Sequence, residues 1–245
     1  MNENWPGHIA ARLIPITLLL LTLLCWYYLF FGMSMNMTPA AKWQPVDILM
    51  LFIMWSIMMA AMMLPAAAPV ILLIDKLNRQ RLKRNSPYTQ TLYFTFGYLL
   101  VWAFYSLLIT LAQWWLHYMT LLSPMMVSNN LLFSALLLVI AGLYQWTELK
   151  QSCLRLCRSP MSLLSSHWQE GIQGAIKLGL IHGQYCLGCC WCLMALLFVT
   201  GVMNLKWIAI LTLVVVIEKL LPKGELVSKL LGILLILFGV KLLIM

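Results

Sequence analysis

Four of the chain's seven cysteines, Cys186, Cys189, Cys190 and Cys192, fall within seven residues, inside an apolar run of about 174–200 that also carries His182. At about 100° per helical residue, His182, Cys186, Cys189 and Cys190 occupy one arc of roughly 100°, and Cys192 points away from it. Thiolates are soft ligands that select Cu(I), zinc or iron–sulfur centres, and imidazole suits copper and zinc. An imidazole and three thiols on one face therefore read as a soft-metal site or a redox site. Cysteine is also a small apolar residue that packs well beside glycines such as Gly183 and Gly188. Packing accounts for one or two cysteines more readily than for four beside a histidine.

A second sulfur-rich stretch lies in the run 46–74, centred on Met58, Met59, Met62 and Met63 and followed by Pro65 and Pro69. The four methionines fall within about 140° of helical arc. Thioethers favour Cu(I) over zinc, so these side chains suit a relay facing the cysteines at similar depth. Met is also a flexible apolar filler, and core packing is the alternative. Each proline removes a backbone donor and is expected to kink or break the helix. Backbone groups freed at membrane depth need protein or a lined cavity around them, which turns this helix towards the interior.

Three smaller features could carry chemistry. Cys153 and Cys157 stand i, i+4 on a cytoplasmic helical extension and would suit a secondary metal site or a dithiol, although a zinc motif needs further ligands. Met33, Met35 and Met37 make a short thioether-rich loop. Glu218, beside Lys219 at the end of the run 205–221, reads as an interfacial anchor, or as a supporting group that orients a ligand or carries a proton. No hydrolase triad, phosphate loop or paired carboxylates are visible.

The elements that must position these residues are membrane helices. The chain of 245 residues is 63% hydrophobic and 9% charged, a balance that belongs to a polytopic membrane protein. Apolar runs at about 13–31, 46–74, 91–118, 131–146, 174–200, 205–221 and 226 onwards predict an all-α membrane bundle of about seven transmembrane helices. Residues 75–90 read as a charged loop, and 161–173 as an interfacial segment. The whole chain forms a single integral membrane domain. The first run is too long for a signal-peptide core and has no small-residue cleavage site after it. The +9 net charge does not indicate nucleic acid, because the basic residues cluster between the apolar runs.

The run Met59-Ala60-Ala61-Met62-Met63-Leu64-Pro65, then Gly142-Leu143-Tyr144-Gln145-Trp146-Thr147, then Leu149-Lys150 with Cys153 and Cys157-Arg158-Ser159-Pro160, form an ordered set of motifs. Cys186-Leu187-Gly188-Cys189-Cys190-Trp191, Gly201-Val202-Met203-Asn204 and Glu218-Lys219-Leu220 continue it. Over about 46–222 the set resembles a bacterial family of predicted metal-binding integral membrane proteins, a domain of unknown function with some members labelled copper chaperone. The resemblance implies a metal, copper foremost, and an inner-membrane location. The chain departs from the family pattern at Glu148, where the family carries proline, and at Cys192, where it carries a small residue.

Together these readings describe a metal-binding protein rather than an enzyme. It handles Cu(I), as a chaperone or by transfer across or within the membrane, with zinc as the second metal. His182, Cys186, Cys189 and Cys190 are the main ligands, Met59, Met62 and Met63 the facing set, and Met58 a supporting residue. Its partners are the lipid bilayer and a periplasmic or membrane metalloprotein. With no ATPase motif, movement of the metal is passive, ion-coupled or handed to a partner. A different class is a membrane thiol–disulfide oxidoreductase pairing Cys153 and Cys157 with Cys189 or Cys190. Buried cysteines without electropositive surroundings count against it. A third is an assembly partner whose cysteines only pack.

Thirteen of the 16 Lys and Arg side chains lie on one side when the N-terminus is cytoplasmic, leaving Lys42, Lys206 and Lys241 on the other. That bias predicts a periplasmic C-terminus. A C-terminal fusion reporter that is active only in the periplasm is the expected outcome; activity only in the cytoplasm would refute this orientation.

Overall fold

A computed structural model describes residues 7–32, 44–84, 91–118, 131–202 and 204–244. The Met33, Met35 and Met37 loop and the loop 119–130 lie outside the described residues. Among the described residues all regular structure is helical: α1 (Gly7–Phe31), α2 (Pro45–Lys83), α3 (Thr91–Tyr118), α4 (Leu131–Tyr144), α5 (Glu148–Arg158), α6 (Pro160–His167), α7 (Gly171–Ala195), α8 (Leu197–Thr200), α9 (Leu205–Leu220) and α10 (Gly224–Ile244). The all-α bundle is as the sequence predicts.

The number of full-length spans is smaller than seven. Among the described residues five helices are long and apolar enough to cross a membrane, or six when α4 and α5, bent by 62°, count as one broken span. At about 1.5 Å per residue the 14 residues of α4 rise about 21 Å and the 16 of α9 about 24 Å, against an apolar core of about 30 Å. The fourth apolar run is cut short by its capping chemistry. The backbone turns at 145–147, and the Thr147 hydroxyl accepts a hydrogen bond from the Lys150 amide at 3.3 Å, starting a new helix.

Helix α2 also departs from expectation. It does not break at Pro65 or Pro69, and it runs nine residues beyond the expected end at 74, through Asp75 to Lys83. Asp75 and Arg79 pair one turn apart on this extension, which favours helix over loop. The bundle covers the turn before Pro65, where Ala61, Met62, Met63 and Leu64 are buried, while Pro69 is exposed. The Tyr98 hydroxyl of α3 donates to the Met63 carbonyl at 3.1 Å.

Helix α7 packs chiefly against α3 and α5. Missing side chains permit both approaches. A Cβ at Gly179 would collide with the Phe94 carbonyl of α3, and one at Gly188 would sit 2.7 Å from the Cys153 Sγ of α5. Close helix contact through small residues is the usual route to tight packing in lipid.

The charged end of the bundle is pinned by a buried ion pair. The Lys150 Nζ donates to both carboxylate oxygens of Glu218, at 3.1 and 3.0 Å, and also to Gln145 Oε1. The Ser228 hydroxyl of α10 donates to the same Gln145 oxygen at 2.9 Å. Lys150 and Glu218 are 0% and 1% exposed. Removing one partner of such a pair leaves a bare buried charge and typically costs about 3–5 kcal/mol, whereas apolar replacement of both is often near neutral. Lys150→Met is therefore expected to lower the unfolding midpoint in detergent sharply. Lys150→Met with Glu218→Met should recover most of the loss. A double variant no more stable than the single would contradict the pairing.

Candidate functional site

His182, Cys186, Cys189, Cys190 and Cys192 are all buried on α7. The helical spacing brings the first four to the side facing α3, α5 and α9. Cys192 is buried too, and it shares no hydrogen bond with the others. Cys157 comes to the same place from α5. It is buried there, its thiol near those of Cys186 and Cys189, and the Cys190 thiol lies near the same two residues. The two cysteine groups that the sequence places apart thus form one cluster. Helix α5 achieves this because Lys150, Gln151, Leu154 and Cys157 make its buried face while Ser152 and Arg155 stay exposed. Cys153, one turn before Cys157, is half-buried against Gly188.

Each remaining neighbour has a defined role in the geometry. The Cys190 Sγ lies 4.0 Å from the Met63 Sδ of α2. Met58, Met59 and Met62 are fully buried in the same core. The Tyr98 hydroxyl lies 3.0 Å from the Cys186 Sγ. The His182 ring is flanked by Phe94 and Tyr98 at centroid distances of 5.8 and 5.6 Å. The His182 Nδ1 is buried without a hydrogen-bond partner. Leaving a buried polar atom unpaired costs about 1–3 kcal/mol, so this nitrogen is poised to take a partner.

Two charged residues correct the sequence reading. Glu218 and Lys219 are not interfacial anchors, since they are 1% and 8% exposed. Glu218 is engaged by Lys150. Lys219 donates from its Nζ to the Cys186 Sγ at 2.8 Å. The thiols therefore do have an electropositive neighbour, contrary to the argument raised above against redox chemistry. A lysine inside an apolar run is a functional candidate by default, and that was the available signal for Lys219. Tyr98 had none, because its segment is rich in aromatics throughout.

The thiols are gathered without being arranged as ligands. Among the described residues, no group of three or more His, Cys, Asp or Glu side chains stands as a formed metal site. The reason is local. The Cys189 and Cys190 thiols donate back to the Cys186 carbonyl at 3.1 and 2.8 Å, the usual resting place of a short polar side chain on a helix. Binding a metal here requires the thiols to lose their protons and turn away from that carbonyl. The seven cysteines are all free, with no disulfide. As donors, the soft sulfurs fit Cu(I) well.

No curated protein and no solved structure matches the chain. A family profile does, over residues 52–242, which reaches past the core seen in the sequence and takes in α10 with the Ser228 contact. The family is PpoB2, described as copper chaperone, and the chain, matched over most of its length, belongs to it.

Proposed function

We propose that the chain binds Cu(I) inside the membrane and passes it on, with two or three sulfur ligands at a time drawn from Cys157, Cys186, Cys189 and Cys190. The observation that carries this reading is the gathering of four buried thiols from two helices around Cys186, with a methionine sulfur beside Cys190. His182 adds a nitrogen that lacks a partner. Cu(I) prefers few, soft ligands, and the set supplies thiolates first and a thioether behind them. Met59 and Met62 line the route by which the metal reaches or leaves the thiols. Cys153, half-buried, lies on the side from which a partner takes it. Residence in a bacterial inner membrane, a cytoplasmic N-terminus and a periplasmic or membrane metalloprotein partner complete the proposal.

A chaperone must release its metal as well as hold it. The resting hydrogen bonds of Cys189 and Cys190 to the Cys186 carbonyl suit that need. They give these two thiols a satisfied state to return to when the metal leaves.

Two sets of variants test the ligands. Cys186→Ser and Cys189→Ser should each weaken Cu(I) binding by at least about tenfold, since even outer-shell losses cost that much. Met63→Leu should lower copper retention more mildly while folding stays intact, because volume-conserving swaps cost below about 1.5 kcal/mol. Copper retention unchanged in both cysteine variants would end the proposal.

A second reading keeps one supporting observation. Lys219 beside Cys186 is the kind of cationic neighbour that activates a thiol for disulfide exchange. Quantitative thiol labelling and metal analysis on one anaerobically purified sample separate the two. Copper bound with all cysteines reduced supports metal handling. A stable disulfide, or a mixed disulfide trapped when one cysteine of the cluster is removed, supports exchange chemistry.

A further inference from the structure

We infer that Lys219 is the residue that sets the charge of the metal this site accepts, favouring a monovalent soft ion over a divalent one. The inference rests on the thiol cluster being a metal site and assigns the selectivity of that site. The Lys219 Nζ lies 2.8 Å from the Cys186 Sγ, and both residues are buried within the bundle. A metal bonded to that sulfur at about 2.3 Å sits within about 5 Å of the ammonium. The N–H···S bond does not compete with the metal, because a thiolate sulfur has lone pairs for both.

Charge counting gives the direction. Two thiolates, one Cu(I) and one ammonium sum to zero. The same pair of thiolates with Zn(II) leaves a net positive charge in an apolar span, and neutrality then needs a third thiol to ionise. Glu218 does not supply the missing negative charge, because Lys150 holds both of its oxygens. The ammonium repels a divalent ion twice as strongly as a monovalent one. At about 5 Å and an effective dielectric of about 20, that difference is on the order of a hundredfold in relative affinity. Sulfur ligands already favour Cu(I) over divalent ions, and the charge adds a preference that softness does not carry.

The test uses the full chain in detergent micelles, kept anaerobic, with Cu(I) and Zn(II) affinities measured by competition against chromophoric chelators. Lys219→Gln and Lys219→Met, which remove the charge, should lower the Cu(I)-to-Zn(II) affinity ratio by at least about tenfold. Lys219→Arg, which keeps it, should hold the ratio near that of the unaltered protein. A ratio unchanged in both neutral variants, or lowered as far in the arginine variant, overturns the inference. The unaltered protein provides a second reading that depends on no variant folding. It should prefer Ag(I) to Cd(II), and equal binding of these two soft ions overturns the inference as well. Failure of the unaltered protein to bind Cu(I) at all would instead remove the metal site on which the inference stands.

Discussion

An ammonium and a carboxylate buried together in apolar surroundings hold only if they hold each other. The Lys150–Glu218 pair does this at the meeting point of the α4–α5 turn, α9 and α10. The rest of the site follows from it. Lys150 fixes α5 against α9, and with it Cys157 two turns further along. Glu218 fixes the end of α9, so that the next residue, Lys219, reaches Cys186. The bend between α4 and α5 leaves room for the network, and the Gln145 side-chain oxygen accepts from both Lys150 and Ser228. The ion pair is thus a registry device for the thiol cluster. Its value lies in position more than in stability, since a buried pair gains little net energy over an apolar replacement.

The helix–helix contacts supply the second constraint. Glycines on α7 let α3 and α5 approach its backbone, and Cys186 is brought against Tyr98 on one side and Cys157 on the other. A helix with side chains at 179 and 188 would stand away from both neighbours. The cluster would then lose the member that comes from α5.

Much of this was legible in the residues. The apolar runs gave the helical membrane class, and the spacing on α7 gave the shared face of His182, Cys186, Cys189 and Cys190. What local pattern could not give was which distant segment completes the face. Cys157 sits 29 residues before Cys186 in the chain, and nothing in its own surroundings announces a packed contact across the α5–α7 interface. Lys219 was read as an anchor because charges at the end of an apolar run usually reach water. Here the last turn of α9 packs against α5 and α10, and Glu218 and Lys219 turn inward while Leu220 is exposed. The seven apolar runs each correspond to a helix, and the count of full-length spans is lower because α4 and α9 have only 14 and 16 residues. The prolines of α2 misled in the opposite direction: the helix continues through both, and Ala61, whose carbonyl loses its helical donor to Pro65, is buried in the bundle.

The central claim is that sulfur from this cluster binds Cu(I). X-ray absorption at the copper edge, on protein loaded anaerobically with one equivalent of Cu(I), tests it most directly. The account predicts a Cu(I) edge with two or three sulfur neighbours, and loss of sulfur from the first shell in Cys186→Ser. A first shell made only of nitrogen and oxygen, or a spectrum identical in Cys186→Ser, would contradict it.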